Sequence, residues 1–152
     1  RYISVTGVQT CALPISANRA LVDLAELLMV KGFDRAILDK LAPHVCVLPN
    51  PTPVNVNTAG AEVLAAVIPG LTLDDARTLV EERGDGSETL ADFRGKLTAP
   101  QALGLRENLL SVASDYFQVD LGVEFGRVRQ RYLALYQRQG QNWPLLIWLK
   151  QL

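Results

Sequence analysis

The chain has 152 residues, of which 49% are apolar and 20% charged, and its formal net charge is −1. That length suits one domain or two small ones, and the apolar share is ample for a core. The near-neutral balance gives no reason to expect general electrostatic attraction to nucleic acid or to an anionic membrane, and no run of about eighteen apolar residues marks a membrane-spanning helix.

Residues 1–16 stand apart. "VTGVQTCALPI", residues 5–15, follows neither a helical nor a strand period. Back-translated, it resembles a common sequencing-library adapter, with Ser16 fitting the adapter's last base and Arg1 to Ser4 the index region. The segment is read as an unstructured artefact and left out of fold reasoning. On that reading Cys11 is foreign, Cys46 lacks a partner, and the native protein continues upstream.

The remaining chain opens with helical patterns. Leu21, Leu24, Ala25, Leu28 and Met29 recur at helical spacing, so a helix is expected over residues 18–31, capped by Asn18 and ended by Gly32. Asp34 is expected to cap a second short helix with Ile37, Leu38 and Leu41 on one side, closed by Pro43. Pro49, Pro51 and Pro53 then impose an extended connection. In "PTPVNVNTAGAEVLAAVIPGL", Asn55 and Asn57 suit local Asx-type bonds, and Thr58 is the expected N-cap of a helix with Val63, Leu64 and Val67 as its buried stripe. Glu62 falls near the positive end of that helix. Pro69 and Gly70 break it, and Thr72 caps the next, whose apolar positions are Leu73, Ala76, Leu79 and Val80. "GDGSE" reads as a turn-rich loop, and short helices over residues 90–93 and 100–110 complete a helical region.

The period then changes. In "YFQVDLGVEF", Phe117, Val119, Leu121, Val123 and Phe125 alternate with polar residues and Gly122, a strong strand pattern. Strands are also expected over residues 127–138 and 144–149, with reversals at Gly126 and over residues 139–142. Three sequential strands with short links imply an antiparallel meander. Its apolar face needs a cover, for which an element upstream of this chain is the natural partner.

The hairpin around Gly70 has the outline of a helix-hairpin-helix, in which a Gly-hydrophobic-Gly turn aims backbone N–H groups at a phosphate. Here that turn would be Gly70, Leu71 and Thr72, so the second glycine is missing, and a β-branched Thr is poorly suited to positive φ. Residues 51–100 hold eight acidic against four basic side chains. A packing scaffold is the preferred reading, and nucleic-acid binding is the alternative.

Other candidates are weak. His44, the one histidine, reads as a surface or capping residue rather than a metal ligand or base. Cys46 in "VCVL" reads as a buried small hydrophobe. No nucleophile motif accompanies the Ser, His and Asp residues. "EERGDGSE" lacks EF-hand spacing and reads as a solvated acidic loop. Arg127, Arg129 and Arg131 alternate along one strand, and pairing with Asp120 and Glu124 is simpler than phosphate binding. Trp143 and Trp148 are read as packing or standing at a partner surface.

The motif order "LVDLAELLMVKGFD", then "LAPHVCVLPNPTPVNVNTAGAEVLAAVIPGL", then "SDYF" opening the meander, resembles the minor pseudopilin K family of type II secretion. The resemblance spans essentially all of the chain beyond the adapter-like residues. "PTPVNVNTA" with the upstream "ELLMVKGFD" is its most specific part, since "VNVNTA" also occurs in competence-type DNA receptors. It implies an α+β fold: a helical domain (SAM-like, or helix-hairpin-helix-like) over residues 17–112, with the hairpin segment at 53–97, then an antiparallel pilin-type β-meander over residues 113–152. It further implies a non-enzymatic protein at the tip of a periplasmic pseudopilus, with other minor pseudopilins as partners. The parent would be anchored in the bacterial inner membrane by an N-terminal helix not present here. Calcium binding in the helical domain is a family trait, for which no residue of this chain is assigned. The structural-motif residues to follow are Asn55, Asn57, Thr58, Pro69 and Gly70. On the nucleic-acid alternative they would be Gly70, Leu71 and Thr72.

Overall fold

The structure, a computed structural model, describes residues 20–152. The adapter reading of residues 1–16 and the expected cap Asn18 lie outside the described residues. The chain falls into two compact units that meet in sequence at Pro51 and Thr52.

In the first unit the expected helix over residues 18–31 is only a 3-10 segment, Leu24–Met29. The Asp23 side chain accepts the Ala25 N–H at 2.9 Å and so starts the turn late. Val30 is already extended, and Gly32 has φ 98°. The second helix forms as expected. Helix α1, Arg35–Leu41, begins where Asp34 accepts the Ile37 N–H at 2.8 Å. It buries Leu38, while Ile37 remains exposed.

The second unit starts with a two-residue strand β1, Val54–Asn55, which pairs in parallel with β2, Leu110–Ser111. The pairing brings two segments distant in sequence together, and no local pattern announces it. Helix α2 spans Ala61–Val67 and α3 spans Leu73–Glu81. Gly70 turns the chain between them at φ 76°, a value that L side chains rarely adopt. Thr72 caps α3 by accepting the Asp75 N–H at 3.2 Å. Thr58 does not cap α2: the helix starts after Gly60, which makes no side-chain cap bond, and Val56, Asn57 and Thr58 form a turn. The later start moves the buried face from the expected Val63, Leu64 and Val67 to Ala61, Leu64 and Ile68.

Helix α4, Leu90–Gly95, opens with a capping box of Thr89 and Asp92. Helix α5, Ala99–Leu103, and a 3-10 turn, Glu107–Leu109, return the chain to β2. The core of this helical body is Val56, Ala61, Leu64, Ile68, Leu71, Ala76, Phe93 and Leu110. Leu64, Ile68 and Ala76 are at most 1% exposed.

Three strands follow: β3 Tyr116–Phe125, β4 Val128–Gln139 and β5 Asn142–Gln151. They form an antiparallel meander in the order β3-β4-β5, as the alternation requires. Gly126 and Gly140, at φ 60° and 58°, make the two reversals. Irregular register between Leu135 and Tyr136 places Leu146, rather than Ile147, opposite Tyr136.

Candidate partner interface

The sheet has two chemically different faces. Residues directly opposite in antiparallel strands share a face. Pairing sets Phe117 against Tyr136, Val119 against Ala134, Leu121 against Tyr132 and Phe125 against Val128. On the far side of β4, Ala134 faces Leu149 and Tyr136 faces Leu146. This face is therefore mainly apolar, with Gln130 opposite Val123 and Gln151 opposite Tyr132 as polar members. Only its centre is shielded: Ala134 is fully buried, whereas Leu121, Val123, Phe125, Val128 and Leu149 are exposed, Phe125 to 85%. Apolar surface gathered in one patch marks an interaction site more often than scattered exposed residues do. Arg138 edges the patch, its guanidinium 5.2 Å from the Phe117 ring centroid.

The opposite face is polar and internally paired near the β3–β4 turn. Arg131 Nε donates to both Asp120 oxygens at 2.9 and 3.1 Å, and Arg129 pairs with Glu124 at 3.1 Å. The Arg131 hydrogen bonds hold the Asp120 carboxyl below the usual carboxylate range, and that carboxylate raises the Arg131 guanidinium in turn. A shallow, open depression beside them is lined by Gly122, Glu124, Arg129, Arg131 and Leu152. With both arginines already engaged, it offers an anion little. Lys150 lies 5.1 Å from the Trp148 ring centroid, and Trp143 is 91% exposed.

The structural-motif residues sit at the root of the sheet. Asn55 makes the expected Asx bond, its Oδ1 accepting the Asn57 N–H at 2.9 Å. Its Nδ2 also donates 2.8 Å to Ser114 Oγ. Asn57 departs from the local expectation. Its Nδ2 donates to Ser87 O at 2.9 Å and Val112 O at 3.2 Å, while its Oδ1 accepts Ser87 N–H at 2.8 Å. Arg83 Nη1 clamps the same turn by donating to Asn57 O at 2.8 Å. Sequence reasoning missed Arg83, Ser87 and Ser114, since nothing local ties them to "VNVNTA". Gly86, in the "GDGSE" turn, was the available signal: at φ 93° it lies so close that a Cβ there would stand 2.9 Å from Asn57 Cγ and Oδ1.

The nucleic-acid reading of Gly70, Leu71 and Thr72 is corrected by this geometry. The Leu71 N–H donates to Ile68 O at 3.2 Å, and the Leu71 side chain is buried. Gly70 O accepts from Gln101 Nε2 at 3.3 Å. Thr72 takes φ −75° as a helix cap, with Asp74 and Asp75 in the first turn. The amide that a phosphate would need is engaged inside the fold, and two carboxylates occupy the helix end that would attract it.

Among the described residues no group of three or more His, Cys, Asp or Glu side chains is placed to hold a metal ion. The calcium that the resemblance implies is assigned to no residue of this chain. Cys46 is exposed rather than buried, which corrects the expectation from "VCVL". Neighbouring chain still covers part of the thiol and pushes its pKa up. His44 is also exposed. No helix among the described residues is long and apolar enough to cross a membrane.

Two family models, both described as type II secretion system (T2SS), protein K, match residues 54–120 and 7–50. The chain belongs to the type II secretion system protein K family. Relatives named type II secretion system protein K include one from Klebsiella pneumoniae, 33% identical over 139 residues that cover 87% of this chain and 43% of the relative. Another, from Pseudomonas aeruginosa, is 37% identical over 129 residues, covering 81% of this chain and 36% of the relative. The chain thus spans less than half the length of these protein K relatives. A chain in the crystal structure of the GspK-GspI-GspJ complex from the enterotoxigenic Escherichia coli type 2 secretion system shares the fold. The TM-score is 0.70 at 24% identity, covering 89% of this chain and 49% of that one. The protein K fold therefore extends over both the helical body and the meander.

Proposed function

We propose that this chain is part of a minor pseudopilin that acts without catalysis, as an assembly component at the tip of a type II secretion pseudopilus. In that role it supports protein export across the outer membrane. Its partners are other minor pseudopilins, of the GspI and GspJ kind found with the structural relative. The parent protein is a bacterial inner-membrane protein whose helical body and sheet lie in the periplasm.

The observation that carries this reading is the protein K match, by family models over residues 7–50 and 54–120 and by relatives of that name that cover more than four-fifths of the chain. The site chemistry agrees with it. The side chains brought together are an exposed apolar sheet face and a set of structural hydrogen bonds. A scaffold needs shape and adhesive surface, whereas an enzyme needs convergent polar groups in a cleft.

The test is co-expression of the chain, within its full-length protein, with the GspI-like and GspJ-like pseudopilins of the same genome. A stable ternary complex on size exclusion is expected. Failure of the full-length protein to co-purify with either pseudopilin would overturn the reading.

A further inference from the structure

The sheet and the helical body are joined in an unusual way. The buried core of the helical body contains no residue of β3, β4 or β5. The helical core, whose apolar packing would normally fix one layer on another, therefore does not reach into the sheet, whose own buried residues are Ala134 and Leu135. Polar bonds gather instead on the connector, residues 112–115, between β2 and β3. Asn57 Nδ2 donates to Val112 O at 3.2 Å, Asn55 Nδ2 to Ser114 Oγ at 2.8 Å, and Thr52 Oγ1 to Asp115 Oδ2 at 3.2 Å. On the sheet side, Arg138 N–H donates to Asp115 O at 2.7 Å. The Thr52 bond is exposed and the Asn55 bond only partly buried, so water competes for both. Beside the connector the Tyr116 hydroxyl is buried with no hydrogen-bond partner in the protein, a cost borne by this arrangement.

We propose that residues 112–115 are a latched hinge. Asn57 anchors its near end to the helical body, and the Asn55–Ser114 and Thr52–Asp115 bonds form a releasable latch. When they open, the sheet swings as a rigid piece while the helical core stays intact. The device lets the sheet adjust to a partner docked on it without unfolding either region. It also divides the work of the two asparagines of "VNVNT": Asn57 holds the body together, and Asn55 holds the sheet's angle through its Nδ2 while its Oδ1 closes the local turn.

The test uses the full 152-residue chain. Thr52→Val with Asn55→Ala removes both latch donors, and Ser114→Ala removes the Asn55 bond from the other side. Hydrogen exchange at amides 113–116 is expected to accelerate about tenfold in the double variant, the scale of one or two solvent-competed bonds. A smaller rise is expected in Ser114→Ala, with Leu64 and Ile68 amides unchanged in both. Spin labels at Asp74→Cys and Gln130→Cys, with the native cysteines replaced by Ser, should give a broader distance distribution once the latch is removed. Unchanged exchange at 113–116 would overturn the proposal. So would equal acceleration at Leu64 and Ile68, or an unaltered narrow distance distribution.

Discussion

The helical body and the sheet are both rich in apolar residues but dispose of them in opposite ways. The body closes on itself: Val56, Leu64 and Ile68 are each 1% exposed. The sheet leaves Leu121, Val123, Phe125 and Leu149 in water on one face. A helical hairpin can bury its two apolar stripes against each other, whereas a three-stranded meander has no second layer of its own. The body's apolar residues are used in its own core, whereas those of the sheet are left for a cover from outside this chain, whether the upstream element expected from the sequence or a partner.

The comparison is broken most directly in the core. Leu64→Ala should lower the unfolding free energy by about 3 kcal/mol, as expected for a truncated, fully buried leucine, measured by urea denaturation. A loss below about 1 kcal/mol would mean the body is not the stable half. Next in size, Asn57→Ala strands the Ser87 N–H and the Val112 carbonyl and should cost about 2 kcal/mol. Gly86→Ala should cost a similar amount, since its methyl would meet Asn57 at a backbone angle unsuited to L side chains. On the sheet, Phe125→Ser should change stability by less than about 0.5 kcal/mol. It should nevertheless reduce dye binding to exposed apolar surface and weaken pseudopilin capture. A large stability loss there would show that the face is covered from within.

The smallest effects concern titration. The Asp120 carboxyl should titrate below the ordinary aspartate range by NMR, and Arg131→Gln should move it back up. Because that pKa is lowered by folding, the pair's contribution is present above the ordinary aspartate value and is lost as pH falls through the lowered one. Cys46 should be alkylated more slowly than a free thiol near pH 8, the rate rising only at higher pH, because partial burial disfavours its thiolate.

Much of this was legible in the chain itself. The alternation of five apolar residues from Phe117 to Phe125 specified a strand with the bounds observed, because successive side chains of an extended chain point to opposite faces. Gly126, Gly70 and Gly32 marked reversals because few other residues adopt positive φ. Asp34 and Thr72 announced helix starts through bonds closed within three residues. Tertiary structure decided what depends on distant partners: that α2 starts at Ala61 rather than after Thr58, that β1 pairs with β2, and that Asn57 bonds to Ser87 and Val112. It also decided that the described residues of this chain leave most of the alternating face of the meander uncovered. Periodicity states which side chains share a face, and only the three-dimensional arrangement of layers determines whether anything covers it.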